Sequence, residues 1–258
     1  MDSSIGRGVT VARTPDGVAT ITIDNPPANT LTDEVITQLS SELAAIAVDA
    51  EVRAVVIRAV GARTFVAGGD VGELLATAGD AEAARQHVAK TRNLFDSLEA
   101  LPQPVVAAVS GHAVGGGLEL VLCCDLAIAS ARARFGLPEV GLGLIPGAGG
   151  TQRLPRAIGL QAAMGMVLTG TLITADEALA RGLVTQVVPV DEVQEAAHLL
   201  AARLAAAPPA ALRAAKLAIR STTRLPLDEG LDGEADLFLP LLRDPATTKT
   251  LRAFFDRR

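Results

Sequence analysis

Two glutamates in glycine-rich surroundings are the side chains of this sequence best suited to acid–base chemistry. Glu119 follows the triple glycine 115–117, and Glu139 follows Pro138 in a segment rich in leucine, valine and isoleucine. A carboxyl group in apolar surroundings is desolvated, which favours its neutral, proton-donating form. Two carboxyl groups in one poorly solvated site can therefore divide into an acid and a base.

The backbone before Glu119 predicts a second chemical function. Residues 105–109 are a short β-branched run typical of a buried strand, and residues 116–123 predict a helix that begins at the triple glycine. The first N–H groups of a helix have no partner inside it and lie at the positive end of its dipole. The N–H of Gly116 is thus available to a developing negative charge, and Glu119 lies one turn further on the same helix face.

Two other glycine-rich loops are candidates for the same site. Residues 135–150 contain too many glycines and prolines for a regular element, so we expect a shaped loop that carries Glu139. Residues 64–70 follow a predicted strand, and there Ala67 supplies a second backbone donor if the loop is more than a connection. A dinucleotide fingerprint is a weak alternative, because the third glycine after Gly141 and Gly143 is misplaced and no acidic residue follows at the required distance.

Composition excludes several classes of protein. The 258 residues are 49% hydrophobic and carry a formal net charge of -6, with six Phe and no Trp or Tyr. A chain of this kind buries a large core, and it lacks the basic surface and stacking side chains that nucleic acid binding requires. The phosphate-loop and Gly-x-Ser-x-Gly motifs are also absent from the sequence.

Cysteine, histidine and hydropathy patterns indicate a protein of a reducing compartment. Cys123 and Cys124 are the only cysteines and are adjacent, which excludes a disulfide framework. We expect His87 and His198 at the surface, and His112 beside the site lacks a second ligand at metal-binding spacing, so no metal site is expected. No apolar run is long enough for a membrane span. The sequence therefore predicts a cytoplasmic protein without membrane association.

The order of elements predicts an α/β core followed by a helical region. Strands are predicted at 18–23, 54–59, 105–109, 125–130 and 184–188, and helices after Thr32 and at 80–98, 116–123, 174–182 and 191–207. Pro208 and Pro209 then mark a boundary between a domain at 1–207 and a region at 208–258. The latter predicts three apolar helices, at 211–221, 228–242 and 247–257, that need a covering surface. We therefore expect an oligomer.

Taken together, these motifs resemble the crotonase superfamily, the enoyl-CoA hydratase/isomerase family. The resemblance covers nearly the whole chain, and its motifs are NPPANTLT, TFVAGGD, VSGHAVGGGLEL, CCDLAIAS, FGLPEVGLGLIPGAGGTQRL and TADEALARGLV. It implies a spiral of repeated strand–strand–helix units with a C-terminal helical region that mediates homotrimers, often paired into homohexamers.

The resemblance also implies a role for each candidate residue. The N–H groups of Ala67 and Gly116 would form an oxyanion hole for an acyl-CoA thioester, and Glu119 and Glu139 would be the two catalytic glutamates. Gly147 would help to hold the catalytic water. The segment 67–70 would line the path of coenzyme A, a set that consists of Ala67, Gly68, Gly69 and Asp70.

The reaction implied is hydration of a trans-2-enoyl-CoA to a 3-hydroxyacyl-CoA, with coenzyme A as part of the substrate and no separate cofactor. Glu119 would act mainly as base toward water and Glu139 as the proton donor. Two alternatives stay open: a Δ3,Δ2-enoyl-CoA isomerase or other crotonase chemistry, and a non-catalytic acyl-CoA-binding protein. Leu118 and the pair Val71-Gly72 depart from the usual family pattern, which leaves the acyl-chain preference and the coenzyme A contacts open.

Overall fold

The computed structural model describes residues 8–256, which divide into two compact units. The first unit ends at Ala206 and the second begins at Ala207, next to the two consecutive prolines. Within the described residues every strand belongs to the first unit, and the second consists of helices. In chain order the strands are β1 (Gly8–Arg13), β2 (Val18–Asp24), β3 (Ala54–Ala59), β4 (Thr64–Val66), β5 (Val105–Val109), β6 (His112–Val114), β7 (Leu126–Ser130), β8 (Arg134–Gly136), β9 (Ile173–Thr174) and β10 (Gln186–Val188).

The helices of the first unit connect and cover these strands. They are α1 (Asp33–Val48), α2 (Val71–Thr77), α3 (Ala81–Ala100), α4 (Gly116–Cys123), α5 (Gly150–Ile158), α6 (Leu160–Thr169), α7 (Ala175–Ala180) and α8 (Val193–Ala205), with a 3-10 turn at Glu139–Leu142. Four of these helices begin at residues whose side chains satisfy free N–H groups of the first turn, and one of them is α2, which Asp70 caps. Thr32 caps α1, Asp80 caps α3, and Thr174 forms a reciprocal capping box with Glu177 at α7.

A six-stranded sheet with the order β1-β2-β3-β5-β7-β10 forms the centre of the first unit. β1 is antiparallel to β2, and the remaining pairs are parallel. Side chains of β3 are buried on both faces: Val55 and Ile57 pack in the cluster that includes residues of α1, α3 and α4, whereas Ala54 and Val56 pack with α8. Burial on both faces explains why these strands are continuous apolar runs.

A smaller sheet with the order β4-β6-β8-β9 positions the glycine-rich loops. β4, β6 and β8 are parallel to one another, and β9 is antiparallel to β8. The chain leaves the carboxyl ends of these parallel strands at Val66, Val114 and Gly136. Residues 67–70, the triple glycine and Glu139 therefore follow three neighbouring strands at one edge of a sheet, where ligands commonly bind in α/β folds.

The regular elements predicted from sequence agree with the structure in the core and differ around the predicted loop. The strands at 54–59 and 105–109 and the helix at 116–123 have the predicted bounds. The segment 135–150, expected to be an irregular loop, instead includes the end of β8, the 3-10 turn and the start of α5. α5 even contains Pro155 in its interior.

The second unit contains the helices α9 (Pro209–Ser221), α10 (Leu227–Arg243) and α11 (Pro245–Phe255), and none of their residues is buried. Large apolar side chains are exposed on all three, for example Ile219, Phe238 and Phe254. The sequence placed the end of the last helix at Arg257, which lies outside the described residues. In the described part of the chain, no helix is both long and apolar enough to span a membrane.

Candidate active site

Glu119 is held by two peptide N–H groups of the loop before α5. The residue lies in the first turn of α4 and is only 3% exposed. Its Oε1 accepts hydrogen bonds from the N–H of Ala148 at 2.9 Å and from that of Gly150 at 2.7 Å. A Cβ on Gly150 would lie 3.0 Å from that same oxygen, so a glycine at this position lets the peptide approach.

Opposing influences act on the pKa of Glu119. Burial raises its pKa above the ordinary value, while the N–H groups of Gly150 and Ala148 and the positive charge of Arg153 act to lower it. Burial disfavours a carboxylate, whereas donors and a cation stabilise it. The protein thus buries this carboxyl group and also supplies the groups that keep its charged form accessible.

Arg153 links the loop that holds Glu119 to α3. Its Nη1 donates to the carbonyl oxygen of Ala148 at 3.0 Å, and its Nε and Nη2 donate to Oε2 of Glu99 at 3.2 and 2.8 Å. Nη2 also donates to Oδ1 of Asp96 at 2.9 Å. Gly149 has a φ of +109°, and a Cβ there would overlap this guanidinium. The side chain of Arg153 therefore holds the peptide segment whose N–H groups bind Glu119.

Glu139 lies in a different environment at the start of the 3-10 turn. Its Oε2 is buried and has no hydrogen-bond partner among the described residues. The pKa of Glu139 is raised to about 7: burial is the main cause and the negative charge of Glu119 adds to it, while the backbone N–H of Glu139 itself acts to lower the pKa. This carboxyl group is therefore a proton donor near neutral pH.

The backbone beside the two glutamates is closely packed. Gly115 has a φ of +56°, and Gly116 is the first residue of α4, so its N–H has no acceptor within the helix. A Cβ on Gly68 would lie 3.5 Å from the nitrogen of Gly116, and a Cβ on Gly117 would overlap the carbonyl oxygen of Val66. The absence of a side chain at Gly117 therefore lets the start of α4 approach the end of β4, whereas Gly68 is favoured by its φ of +93°.

The other predicted backbone donor already has a partner. The N–H of Ala67 donates to the carbonyl oxygen of Ala28 at 3.2 Å, which is at the long end of the usual range. Nothing in the sequence indicated this contact. Any ligand oxygen bound by Ala67 therefore competes with the carbonyl of Ala28.

One cavity of about 270 Å³ brings together every predicted site residue except Asp70. The predicted residues that line it are Ala67, Gly68, Gly69, Gly116, Glu119, Glu139 and Gly147. Asp70 instead caps α2, where its Oδ1 accepts from the N–H of Glu73 at 3.0 Å. Its contact with coenzyme A stays a prediction.

Several site residues were not found from sequence. The peptides of Ala148 and Gly150 carry no side-chain signal, and no role was assigned to Arg153. The prediction for His87 was wrong: its side chain is only 11% exposed, pairs with Asp33 and contributes to the cavity wall. The amphipathic pattern of α3 could have revealed it, because His87 lies one turn before Thr91, which also lines the cavity.

Comparisons with known proteins identify the family of this chain. The family model described as enoyl-CoA hydratase/isomerase matches residues 13–258. A protein of Escherichia coli K12 named 2,3-dehydroadipyl-CoA hydratase is 41% identical over 247 residues, which is 93% of each chain. A short-chain-enoyl-CoA hydratase of Clostridium acetobutylicum is 37% identical over 242 residues, covering 93% of this chain and 92% of the other.

Solved structures show the same fold. The crystal structure of an enoyl-CoA hydratase from Bacillus anthracis superposes with a TM-score of 0.92 at 38% identity, covering 98% of this chain and 97% of the other. An enoyl-CoA hydratase structure from Mycobacterium smegmatis gives a TM-score of 0.92 at 30% identity, covering 97% and 96%. This chain is therefore a member of the enoyl-CoA hydratase/isomerase family, with the fold of the crotonase superfamily.

Proposed function

We propose that this protein is an enoyl-CoA hydratase that adds water reversibly across the double bond of a trans-2-enoyl-CoA to give a 3-hydroxyacyl-CoA. The observation that carries the proposal is that one cavity contains two glutamates in contrasting environments. Hydration needs a base for the attacking water and an acid for Cα, and both are side chains of this chain. The names of its relatives support the same reaction.

The first requirement of this reaction is to stabilise the thioester oxygen, because that oxygen gains negative charge as water attacks. In our proposal it accepts from the N–H of Gly116, which has no acceptor within α4, and from that of Ala67. The bond from Ala67 to Ala28 is long, so exchange for a charge-assisted bond to an oxyanion is favourable. Each such fixed donor is worth about 3 kcal/mol of transition-state stabilisation.

Glu119 acts mainly as base toward the water in this proposal. The hydrogen bonds from Ala148 and Gly150 both fall on its Oε1, which leaves Oε2 to accept the proton of the water. The N–H of Gly147, in the loop that also holds Glu119, would help to position that water. Fixed donors to one oxygen favour the ionised form that a base requires.

Glu139 supplies the proton to Cα. With a pKa of about 7, about half of the Glu139 carboxyl groups are protonated at neutral pH, and the unpartnered Oε2 can turn its proton toward the substrate. The negative charge of Glu119 raises the pKa of Glu139, so the protonation of one glutamate depends on that of the other. In this proposal both glutamates also act through the same water. The acid and base assignments therefore describe the pair rather than two independent groups.

The proposal needs no cofactor, because coenzyme A arrives with the substrate and the chain itself supplies both the acid and the base. Assembly into a homotrimer or homohexamer stays a prediction, supported by the apolar side chains exposed on α9, α10 and α11. Light scattering of the purified protein would measure the mass of the assembly. A monomer at micromolar concentration would contradict this part of the proposal.

Loss of the conjugated-thioester absorbance of crotonyl-CoA tests the hydratase activity. We expect turnover by the wild type, its loss in Glu119→Gln and Glu139→Gln, and its retention in the control Glu195→Gln, which changes an exposed glutamate of α8. Double-bond migration of a 3-enoyl-CoA without hydration would replace the proposal with an isomerase. Binding of acyl-CoA without any turnover would indicate a non-catalytic protein.

A further inference from the structure

We propose that the cavity accepts enoyl chains with an uncharged end and discriminates against chains that end in a carboxylate. This inference rests on the proposed hydratase function and concerns the part of the substrate beyond the reacting double bond. It concerns a choice between substrates that family membership leaves open. Two features support it: the cavity wall is apolar, and the positive charges near that wall are paired with carboxylates of the protein.

The wall that continues from the two glutamates is apolar and comes from three separate elements. Its large side chains are Val71 and Leu74 of α2, Val88 of α3, and Leu142, Leu144 and Ile145 of the segment after Glu139. Val71, Leu142 and Ile145 are each at least 60% exposed. An alkyl chain laid on them removes apolar surface from water on both sides of the contact, which favours binding.

Positive charge near this wall is already paired with carboxylates of the protein. His87 is the one described lining residue that can carry a positive charge, and its Nδ1 lies 3.3 Å from Oδ1 of Asp33. Lys90, on the same helix, has its Nζ 3.0 Å from Oδ2 of Asp33. Glu73 lies in the same group and accepts the backbone N–H of Asp33. The two carboxylates of this group at least offset the positive charge of Lys90 and any on His87, so no cation of this group is left over for a ligand.

A substrate carboxylate in this cavity would meet two obstacles. It would lose water against an apolar wall, which is costly for an ionised group without a cationic partner. It would also share the cavity with Glu119, whose negative charge in the base form repels it. Both obstacles disappear when the chain ends in a methyl group.

By this inference, the protein prefers a different substrate from the one named for a relative that is 41% identical to it. That relative is named 2,3-dehydroadipyl-CoA hydratase, and the acyl group in this name ends in a carboxylate. Identity alone would transfer this substrate to the present protein. The cavity instead favours the matched uncharged substrate, trans-2-hexenoyl-CoA, which has the same six carbons and a methyl end.

The test compares kcat/KM of the wild type on trans-2-hexenoyl-CoA and 2,3-dehydroadipyl-CoA. We expect the uncharged substrate to be preferred by about 100-fold or more. Equal values, or a preference for the carboxylate, would overturn the inference and leave the hydratase proposal intact. Hydration of neither these two nor crotonyl-CoA would instead remove the hydratase proposal on which the inference rests.

A charge placed on the wall provides the converse test. Thr91 lines the cavity from α3, and its hydroxyl donates to the carbonyl oxygen of His87 in its own helix. Thr91→Arg should raise kcat/KM for 2,3-dehydroadipyl-CoA relative to hexenoyl-CoA by about 10-fold, since it supplies the missing cation. The long neutral side chain of Thr91→Met controls for size and should leave the wild-type preference in place.

A Thr91→Arg protein that hydrates hexenoyl-CoA but gains nothing on the carboxylated substrate would contradict the inference. An equal gain in Thr91→Met would contradict it as well, because shape rather than charge would then decide. If the arginine variant does not fold, the wild-type kcat/KM values on the two six-carbon substrates still test whether the cavity discriminates against a carboxylate.

Discussion

The two glutamates of the cavity lie in regions that treat a carboxyl group in opposite ways. The α4 region buries Glu119 almost completely and surrounds it with two peptide donors and Arg153. The 3-10 turn leaves Glu139 half-buried, with one oxygen unpartnered. The more deeply buried group is thus the one supplied with donors. The charge state of a buried carboxyl group depends on the donors aimed at it as well as on desolvation.

The largest expected effect comes from replacing either glutamate with glutamine, which removes one of the two carboxyl groups being compared. Glu119→Gln and Glu139→Gln should each lower kcat for crotonyl-CoA by about 1000-fold, within the range for general acid–base groups. The double variant should lose little more than either single variant, because the groups act on one water as a unit. Steady-state kinetics of the three proteins measures this. Multiplicative losses in the double variant would show that the two groups work independently.

The pH dependence of wild-type activity tests whether Glu139 acts as the proton donor of the pair. Because the pKa of Glu139 is raised to about 7, its proton-donating form is lost as the pH rises through 7. The kcat/KM for hydration should then fall by up to about 10-fold per pH unit on the alkaline side. The profile between pH 5 and 9 checks this, and the residual activity of Glu139→Gln should lack the alkaline limb. An unchanged limb in that variant would assign it to another group.

The substitution Arg153→Gln changes the surroundings of Glu119 and not those of Glu139. Removing the guanidinium frees the carbonyl of Ala148 and removes a positive charge that lowers the pKa of Glu119. We expect kcat to fall by about 30-fold and the acidic limb of the pH profile to move to higher pH, because the base then ionises later.

The matched control is Arg156→Gln, one turn further along α5, where the guanidinium donates to Gln152 at the surface. This variant should keep the wild-type profile. A fall in kcat for Arg153→Gln without a shift of the acidic limb would mean that Arg153 only supports the fold. Partial recovery of the wild-type limb in Arg153→Lys would indicate that charge is the main contribution.

The smallest expected effect is on stability. A carboxyl group whose folded pKa is raised destabilises the native state as pH increases from its ordinary pKa to about 7. Glu139→Gln should therefore unfold at higher denaturant concentration than the wild type at pH 8 and at nearly the same concentration at pH 4.5. Partial solvent exposure reduces the gain to about 1 kcal/mol. Urea unfolding at both pH values measures it, and an equal gain at both would contradict the titration.

Sequence predicted the core elements well because their signals are local. The strands at 54–59 and 105–109 are apolar on both faces, and α4 begins at the triple glycine, so their ends are marked by residue type. β4, β6 and β8 are only three residues long, too short for an alternating pattern, and were not predicted as strands. α5 was missed because glycine precedes it and Pro155 interrupts it.

The site was predicted unevenly for a related reason. The residue types of Glu119 and Glu139 are chemically informative, the predicted start of a helix indicated Gly116, and the loop after a predicted strand indicated Ala67. The family resemblance added Gly147. Hydrogen bonds of backbone groups have no such signature. The contact of Ala67 with Ala28 and the peptide donors to Glu119 depend on which loops meet in space, and only the structure shows them.

The short parallel strands of the small sheet also affect how the protein loses activity. β4, β6 and β8 are distant in sequence and contribute three residues each, so few hydrogen bonds compensate for closing long loops. Such a sheet opens locally at lower free energy than the six-stranded core. One such opening would separate Ala67 and Glu139 from each other and from Gly116 and Glu119, which share α4. Under mild heat or denaturant, catalysis should therefore end while most of the secondary structure is still present.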